Sequence, residues 1–291
     1  MSQKPLVCYT ITAPNPHTHV FHITLRIQNP AARQELALPV WIPGSYLVRE
    51  FARHLQGMQV QQGGQPCTVQ QLDKHRWQVQ CAAGKPLDVR YQVYAYDDSV
   101  RTAWLDANRG FFNATSLCLM VEGQTTIPHH IVVEAPFPHR ELATALEPVK
   151  TNRHGFGLYG AANYDMLADS PVEMGTFWSA NFTVHGVLHR FVIANPPPAL
   201  DGARLLRDTR RICETAMRFW HGNQVKQRLP FQHYVFMLNA VANGYGGLEH
   251  TNSTALIASR KMLPLAGQAP GADYVTLLGL ISHEYFHTWN V

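Results

Sequence analysis

Long apolar runs, charge blocks and paired cysteines are all missing from this sequence, and each absence removes a class of protein. No stretch approaches the ~20 consecutive apolar residues that a membrane-spanning helix needs. The opening Met1-Ser2-Gln3-Lys4-Pro5 runs into Leu6-Val7-Cys8-Tyr9 without an apolar core or a cleavage site, so no secretory leader is expected. Charged residues make up only 15% of the chain, and 24 Lys+Arg against 20 Asp+Glu leave a formal net charge of +4 with no basic cluster. That balance is too weak and too dispersed to argue for nucleic acid or a membrane surface as a partner. Five cysteines (Cys8, Cys67, Cys81, Cys118, Cys213) are odd in number, widely spaced and without a Cys-x-x-Cys pair. Reduced thiols in a cytoplasmic protein are expected, and a structural zinc site is not.

What remains is an ordinary globular composition, 46% hydrophobic over 291 residues, long enough for one large domain or two ordinary ones. The first part reads as strands. His17 to Ile27 alternates, with Phe21, Ile23, Leu25 and Ile27 on the buried face. Its histidines do not make a metal site, because His17 and His19 share a face and His22 lies opposite. Leu36 to Ile42 is a second candidate strand, with Pro39 suggesting an edge or a bulge. Met58 to Gln61, Arg76 to Val79 and Leu87 to Tyr96 follow, and this rhythm of short strands suggests a β-sandwich or a related all-β module. Two aromatic-rich segments, Trp41 to Tyr46 and Arg109 to Asn113, fit either a cleft lining or packing between sheet and loop.

Character changes near residue 175. Phe177 to Val184 and His189 to Ala194 predict a strand pair turning at His185-Gly186. Asp201 to Trp220 carries an apolar stripe at helical spacing, and His233 to Leu238 is an apolar strand. A glycine-rich loop, Asn243 to Gly247, follows, and Leu248 to Ile257 is apolar enough for an edge strand. Such an edge could hold an extended peptide by strand addition. Glu249 offers a carboxylate for a substrate α-ammonium, or is simply a surface glutamate after a turn. Gly246 and Gly247 leave room for a close backbone approach.

The sharpest signal is His283-Glu284-Tyr285-Phe286-His287. Tyr274, Leu277, Leu278, Ile281 and Tyr285 recur at three and four residues, so the segment is expected on a helix with Asp273 as its N-cap. One helical turn puts both imidazoles on one face, where they can share a zinc ion, and places Glu284 to accept a proton from water. A catalytic zinc takes three protein ligands, and this pattern supplies two.

Together with Trp41-Ile42-Pro43-Gly44-Ser45-Tyr46, Asp169-Ser170-Pro171-Val172-Glu173-Met174-Gly175 and Gly246-Gly247-Leu248-Glu249-His250, the motif resembles the glycyl aminopeptidase family of gluzincin zinc peptidases. The resemblance runs in order over nearly the whole chain. It implies an α+β multidomain protein: an all-β, sandwich-like domain over residues 1–175, then the first part of a thermolysin-like zinc peptidase domain over 176–291. It implies an aminopeptidase that releases small N-terminal residues such as glycine from peptides with a free N-terminus. His283 and His287 would be zinc ligands, Glu284 the general base, and Glu249 the amine-recognition residue. Family members usually continue with a helix bearing a glutamate ligand, the rest of the catalytic domain and a PDZ domain. The expectation is therefore an incomplete, inactive fragment whose third zinc ligand is absent. The rival readings are a non-enzymatic β-sandwich binding module and a zinc endopeptidase in which Glu249 is structural. Oligomeric state is not specified by the sequence.

Overall fold

The computed structural model describes residues 6–136, 138, 140–222 and 229–290. They form two compact units, one holding the chain to Leu142 and again Leu146–Met174, the other Ala143–Ala145 and the chain from Gly175 on. The fold is mostly β-sheet with few helices. No helix among the described residues is long and apolar enough to cross a membrane.

The first unit is built on an eight-stranded sheet. At its centre Val7–Thr12 pairs antiparallel with Val20–Ile27 and parallel with His129–Val133, and Val20–Ile27 pairs with Leu87–Tyr94. Strict alternation buries Val7, Tyr9 and Ile11, then Phe21, Ile23, Leu25 and Ile27, then Leu87, Val89, Tyr91 and Val93. Because side chains alternate with period two, this register puts every one of them on a buried face.

Two strand starts and ends differ from the sequence expectation. The strand expected from His17 begins at Val20, since Pro16–Thr18 form a 3-10 turn. Asn15 caps that turn by accepting from the His17 N–H, Pro16 presets its first dihedral, and His19 leaves in the left-handed region (φ 58°). The strand expected over Leu36 to Ile42 is Arg33–Ala37, ending before Pro39, which has no N–H for a ladder.

Two polar devices fix the interior. Tyr9, Tyr91 and Tyr164 donate hydroxyl hydrogen bonds of 2.7, 2.6 and 2.7 Å to the carbonyls of Leu119, Leu117 and Cys118. These carbonyls lie at and just past the end of the one-turn helix Ala114–Leu117, where a helix leaves its acceptors unpaired. Burial raises all three phenols well above their usual range, so they remain donors. Arg109–Phe112, one of the two segments considered for a cleft, is a fully buried strand. Its Arg109 grips Glu173 bidentately, Nε to Oε1 at 2.9 Å and Nη2 to Oε2 at 2.7 Å, with both side chains under a tenth exposed. The other segment keeps Ile42 buried and leaves Trp41 half exposed, its indole N–H donating to the Ser45 carbonyl at 2.7 Å.

The second unit holds a five-stranded sheet in the order Phe177–Val184, Val187–Ala194, His233–Val241, Ser253–Ser259, Tyr245–Glu249. The first two form a hairpin through His185 and Gly186, both at positive φ (50° and 88°), which matches strand twist. A crossover through the helix Gly202–His221 makes the next pairing parallel. Asp201 caps that helix through the Arg204 N–H (3.0 Å), and Leu205, Thr209, Cys213 and Met217, four residues apart, form its buried stripe. The glycine-rich segment expected as a loop is largely a strand. Tyr245–Glu249 is the sheet edge, and Ser253–Ser259 lies inside it. A tight turn closed by His250 N–H to the Ser253 carbonyl (3.0 Å) splits the single edge strand expected over Leu248 to Ile257.

The buried ion pair yields the first test. Glu173→Ala leaves the Arg109 charge without its partner and should destabilise the first unit by about 3–5 kcal/mol. Arg109→Met with Glu173→Leu should recover most of that loss. Chemical denaturation of both variants measures the difference; equal losses would refute the assignment.

Candidate functional site

The motif closes the helix Ala272–Phe286, with His287 as its C-cap. Gly271, extended at φ −99° and ψ 176°, is the N-cap, and Asp273 sits in the first turn instead of capping it. An acid there still complements the helix dipole. Tyr274, Leu277, Leu280, Ile281, Glu284 and Tyr285 are the buried residues. Burying Tyr285 rotates the helix so that Glu284 also points inward while His283 stays exposed and His287 half-buried.

An anchor fixes that rotation. Tyr285 lies in the core of the second unit among Phe231, Tyr234 and Phe236, and its hydroxyl sits 3.0 Å from His189 Nε2. His189 Nδ1 sits 3.1 Å from the Val187 carbonyl, which accepts its proton and leaves Nε2 to receive the tyrosine proton. Burial pushes the imidazole down to about 4 and the Tyr285 phenol far above its usual range. The sequence reading missed this anchor: its partners are 96 residues apart, and the one hint was a histidine between apolar positions of a strand.

The two motif histidines converge. Their rings stand perpendicular with centroids 4.6 Å apart, and Nε2 of one lies 3.1 Å from Nε2 of the other. His287 Nδ1 is 2.7 Å from the Asn290 carbonyl, so it carries the proton and turns its Nε2 lone pair toward His283. Two nitrogens held about 2.05 Å from a tetrahedral zinc would stand roughly 3.3 Å apart. The pair therefore fits zinc by spacing, and His287 by tautomer as well; His283, the donor in this contact, would carry its proton on Nδ1 to bind.

Glu249 ends the edge strand on the same face as Gly247, and that face meets the motif helix. Ligand atoms of Glu249, Glu284 and His287 all lie within 4.8 Å of one another. The two glycines differ sharply. A Cβ on Gly247 would overlap the Glu284 carboxylate, whereas one on Gly246 would make only ordinary contact with Ile257 at 3.8 Å. Gly247 thus makes room for a buried carboxylate of the protein itself. Three of the four predicted site side chains, Glu249, Glu284 and His287, meet beside Gly247, and His283 joins them through its contact with His287; Gly246 lies beside them without a steric role.

The comparisons with known proteins agree with this architecture. An M1 zinc metallopeptidase from Deinococcus radiodurans superposes with a TM-score of 0.54 over 97% of this chain and 63% of its own, at 15% identity. A variant of that enzyme bound to a Tyr-Ser-Ala substrate gives the same TM-score at 14% identity. These two likenesses establish a shared fold. An aminopeptidase N family protein from Idiomarina loihiensis is 42% identical, with a TM-score of 0.92 over 98% of this chain. This chain spans 48% of that protein, about half its length. No curated protein matches the sequence. Residues 8–176 match the Peptidase M61 N-terminal domain, and the chain belongs to that family.

Two tests follow. Gly247→Ala should cost roughly 1–3 kcal/mol by overpacking against Glu284, while Gly246→Ala should stay within about 0.5 kcal/mol. Denaturation curves that rank the two the other way would contradict the packing. His189 is neutral in the folded state down to about pH 4 but takes a proton near 6.5 when unfolded. With the folded value depressed, its stabilisation is complete above pH 6.5 and falls as pH drops toward 4, by on the order of 3 kcal/mol. The fall in stability from pH 7 to pH 4 should be shallower in His189→Gln by that amount; matching slopes would remove the effect.

Proposed function

We propose that this chain carries part of the active site of a zinc-dependent aminopeptidase. The observation that carries the reading is the meeting of Glu249, Glu284 and His287 within 4.8 Å, with His283 Nε2 beside His287 Nε2. In this reading His283 and His287 are zinc ligands. Zinc, when bound there, supplies Lewis acidity that polarises a peptide carbonyl and lowers the pKa of water from about 15.7 toward 7. Glu284 accepts the water proton and delivers it to the leaving amine. Its burial against Gly247 holds the carboxylate in a single position, which matters because a misplacement of about 1 Å can cost 10²-fold in rate.

Glu249 receives the substrate α-ammonium, and the edge strand Tyr245–Glu249 pairs with the extended peptide through the backbone at Gly246 and Gly247. An ammonium bound so close to the general base leaves room for a single residue before the scissile bond. That spacing suits an aminopeptidase, and we propose, on the family resemblance alone, a preference for small N-terminal residues such as glycine. We read residues 1–175 as the N-terminal β domain of such an enzyme and 176–291 as the first part of a thermolysin-like catalytic domain, in a cytoplasmic setting that five free thiols support. With Glu249 and Glu284 committed to other roles, the two histidines lack a third protein ligand among the described residues. The 291-residue polypeptide alone should therefore show no turnover.

The test uses the protein at its natural length. Glu284→Gln should abolish hydrolysis of a glycine-initiated peptide while bound zinc stays stoichiometric, and N-acetylation of the peptide should remove activity in the unmodified enzyme. Full activity in Glu284→Gln would end the base assignment. Equal cleavage of free and acetylated peptides would favour an endopeptidase in which Glu249 is structural. Tight stoichiometric zinc with turnover in the isolated 291-residue chain would contradict the expected inactivity.

A further inference from the structure

The hairpin Thr68–Gln71 and Arg76–Gln80 pairs Thr68 with Gln80, Val69 with Val79, Gln70 with Gln78 and Gln71 with Trp77. Extending that register by one step sets Cys67 opposite Cys81, each just beyond the end of its strand. The hydrogen bonds identify what kind of pair this is. Leu72 N–H donates to the Arg76 carbonyl at 2.9 Å, so alternate positions from there, 70 with 78 and 68 with 80, are the bonded ones. Cys67 and Cys81 then form a non-hydrogen-bonded pair. Their amides agree: Cys67 N–H donates outward to Val60 (2.9 Å), and Cys81 N–H outward to Ala32 (3.0 Å).

Facing residues of such a pair have Cα atoms about 4.5 Å apart and side chains on the same side of the sheet. Disulfides accept Cα separations of roughly 4.4–6.8 Å. Both thiols are half-buried and within reach of small molecules. The other three differ. Cys118 and Cys213 are buried, and Cys8 faces His130 and Arg26 across its strand.

We propose that Cys67 and Cys81 are a modification site, closing to a reversible disulfide when the protein meets a peroxide. Burial raises the Cys81 thiol, and its S–H lies 3.1 Å from the Ala31 carbonyl, which holds it protonated. We take Cys67 as the attacking sulfur and Cys81, already engaged by the Ala31 carbonyl, as the resolving thiol. The Cys67 sulfur bonds to one peroxide oxygen, the O–O bond breaks, and hydroxide leaves and is protonated to water. The Cys81 sulfur then displaces hydroxide from the Cys67 sulfenic acid, its own proton leaving with that hydroxide as a second water. Two thiols and one hydrogen peroxide give one disulfide and two waters; the sulfurs lose two electrons and the peroxide gains them.

The bond would close a short loop across an edge. Thr68–Gln71 is the outermost strand of its four-stranded sheet and is mostly exposed, which makes it prone to opening. Cross-linking its base to the neighbouring strand restricts that opening and resists unfolding of the hairpin.

The test treats the folded 291-residue chain with stoichiometric hydrogen peroxide, alkylates free thiols and maps peptides without reduction. The expected map joins the Cys67 and Cys81 peptides with the loss of two hydrogens, leaves Cys118 and Cys213 as thiols, and reverts with dithiothreitol. The Tm of the first unit should rise by roughly 5–10 °C on oxidation. In Cys81→Ser, and equally in Cys81→Ala, Cys67 should instead be trapped as a sulfenic acid by dimedone, with the Tm rise gone. A map in which both cysteines stay thiols, in which each oxidises separately, or in which the link forms only after unfolding in urea would overturn the proposal.

Discussion

The second unit depends on one close approach, the carboxylate of Glu284 lying where the side chain of residue 247 would otherwise be. A buried carboxylate is costly unless its surroundings are arranged for it, and here helix and edge strand are brought together at a glycine to make that arrangement. Glu249 follows Gly247 by two residues on the same strand, so the contact that seats one carboxylate also delivers the other to the same face. His287 follows Glu284 by three residues, capping the same helix in helical conformation, and is drawn into the group with it.

The helix cannot make this contact unless its rotation is fixed, and the fixing comes from the opposite side. Tyr285 is the neighbour of Glu284 in sequence and lies deep in the core, with His189 at its hydroxyl. A tyrosine that packs among aromatic rings and also donates one hydrogen bond has few alternative positions. Two adjacent residues thus serve different ends, one locking the helix and the other presented by that lock. The first unit solves a similar problem, with three buried tyrosines capping a one-turn helix end and one bidentate ion pair, Arg109 with Glu173, tying a short strand in place.

Much of the candidate site was legible because it rests on spacing. His283 and His287 are one turn apart, apolar residues recur at helical period before them, and Glu249 follows a glycine pair. The helix Gly202–His221 and the hairpin turning at His185-Gly186 were legible for the same reason, as local period and local turn chemistry. Contacts between distant residues were not. Gly247 reads as a glycine free for a ligand, and only the folded sheet shows that Glu284 occupies the space. That Tyr245–Glu249 is the edge and Ser253–Ser259 is interior was hidden too, since the two glycines of the first segment read as loop and strand order is set by pairing between distant residues. Asp273 has the right chemistry for a cap but is pre-empted by the extended backbone of Gly271. His17 has the right alternation for a strand but follows Asn15-Pro16, whose local turn wins.

The central claim is that His283 and His287 are arranged to hold a zinc ion in front of the edge strand. The most direct measurement is anomalous diffraction at the zinc edge from crystals of this chain soaked in a zinc salt. The account predicts an anomalous peak between the two Nε2 atoms, with the His287 Nδ1 bond to Asn290 retained. A peak absent there while zinc binds elsewhere on the chain, or two imidazoles that stay hydrogen-bonded to each other in the presence of zinc, would contradict it.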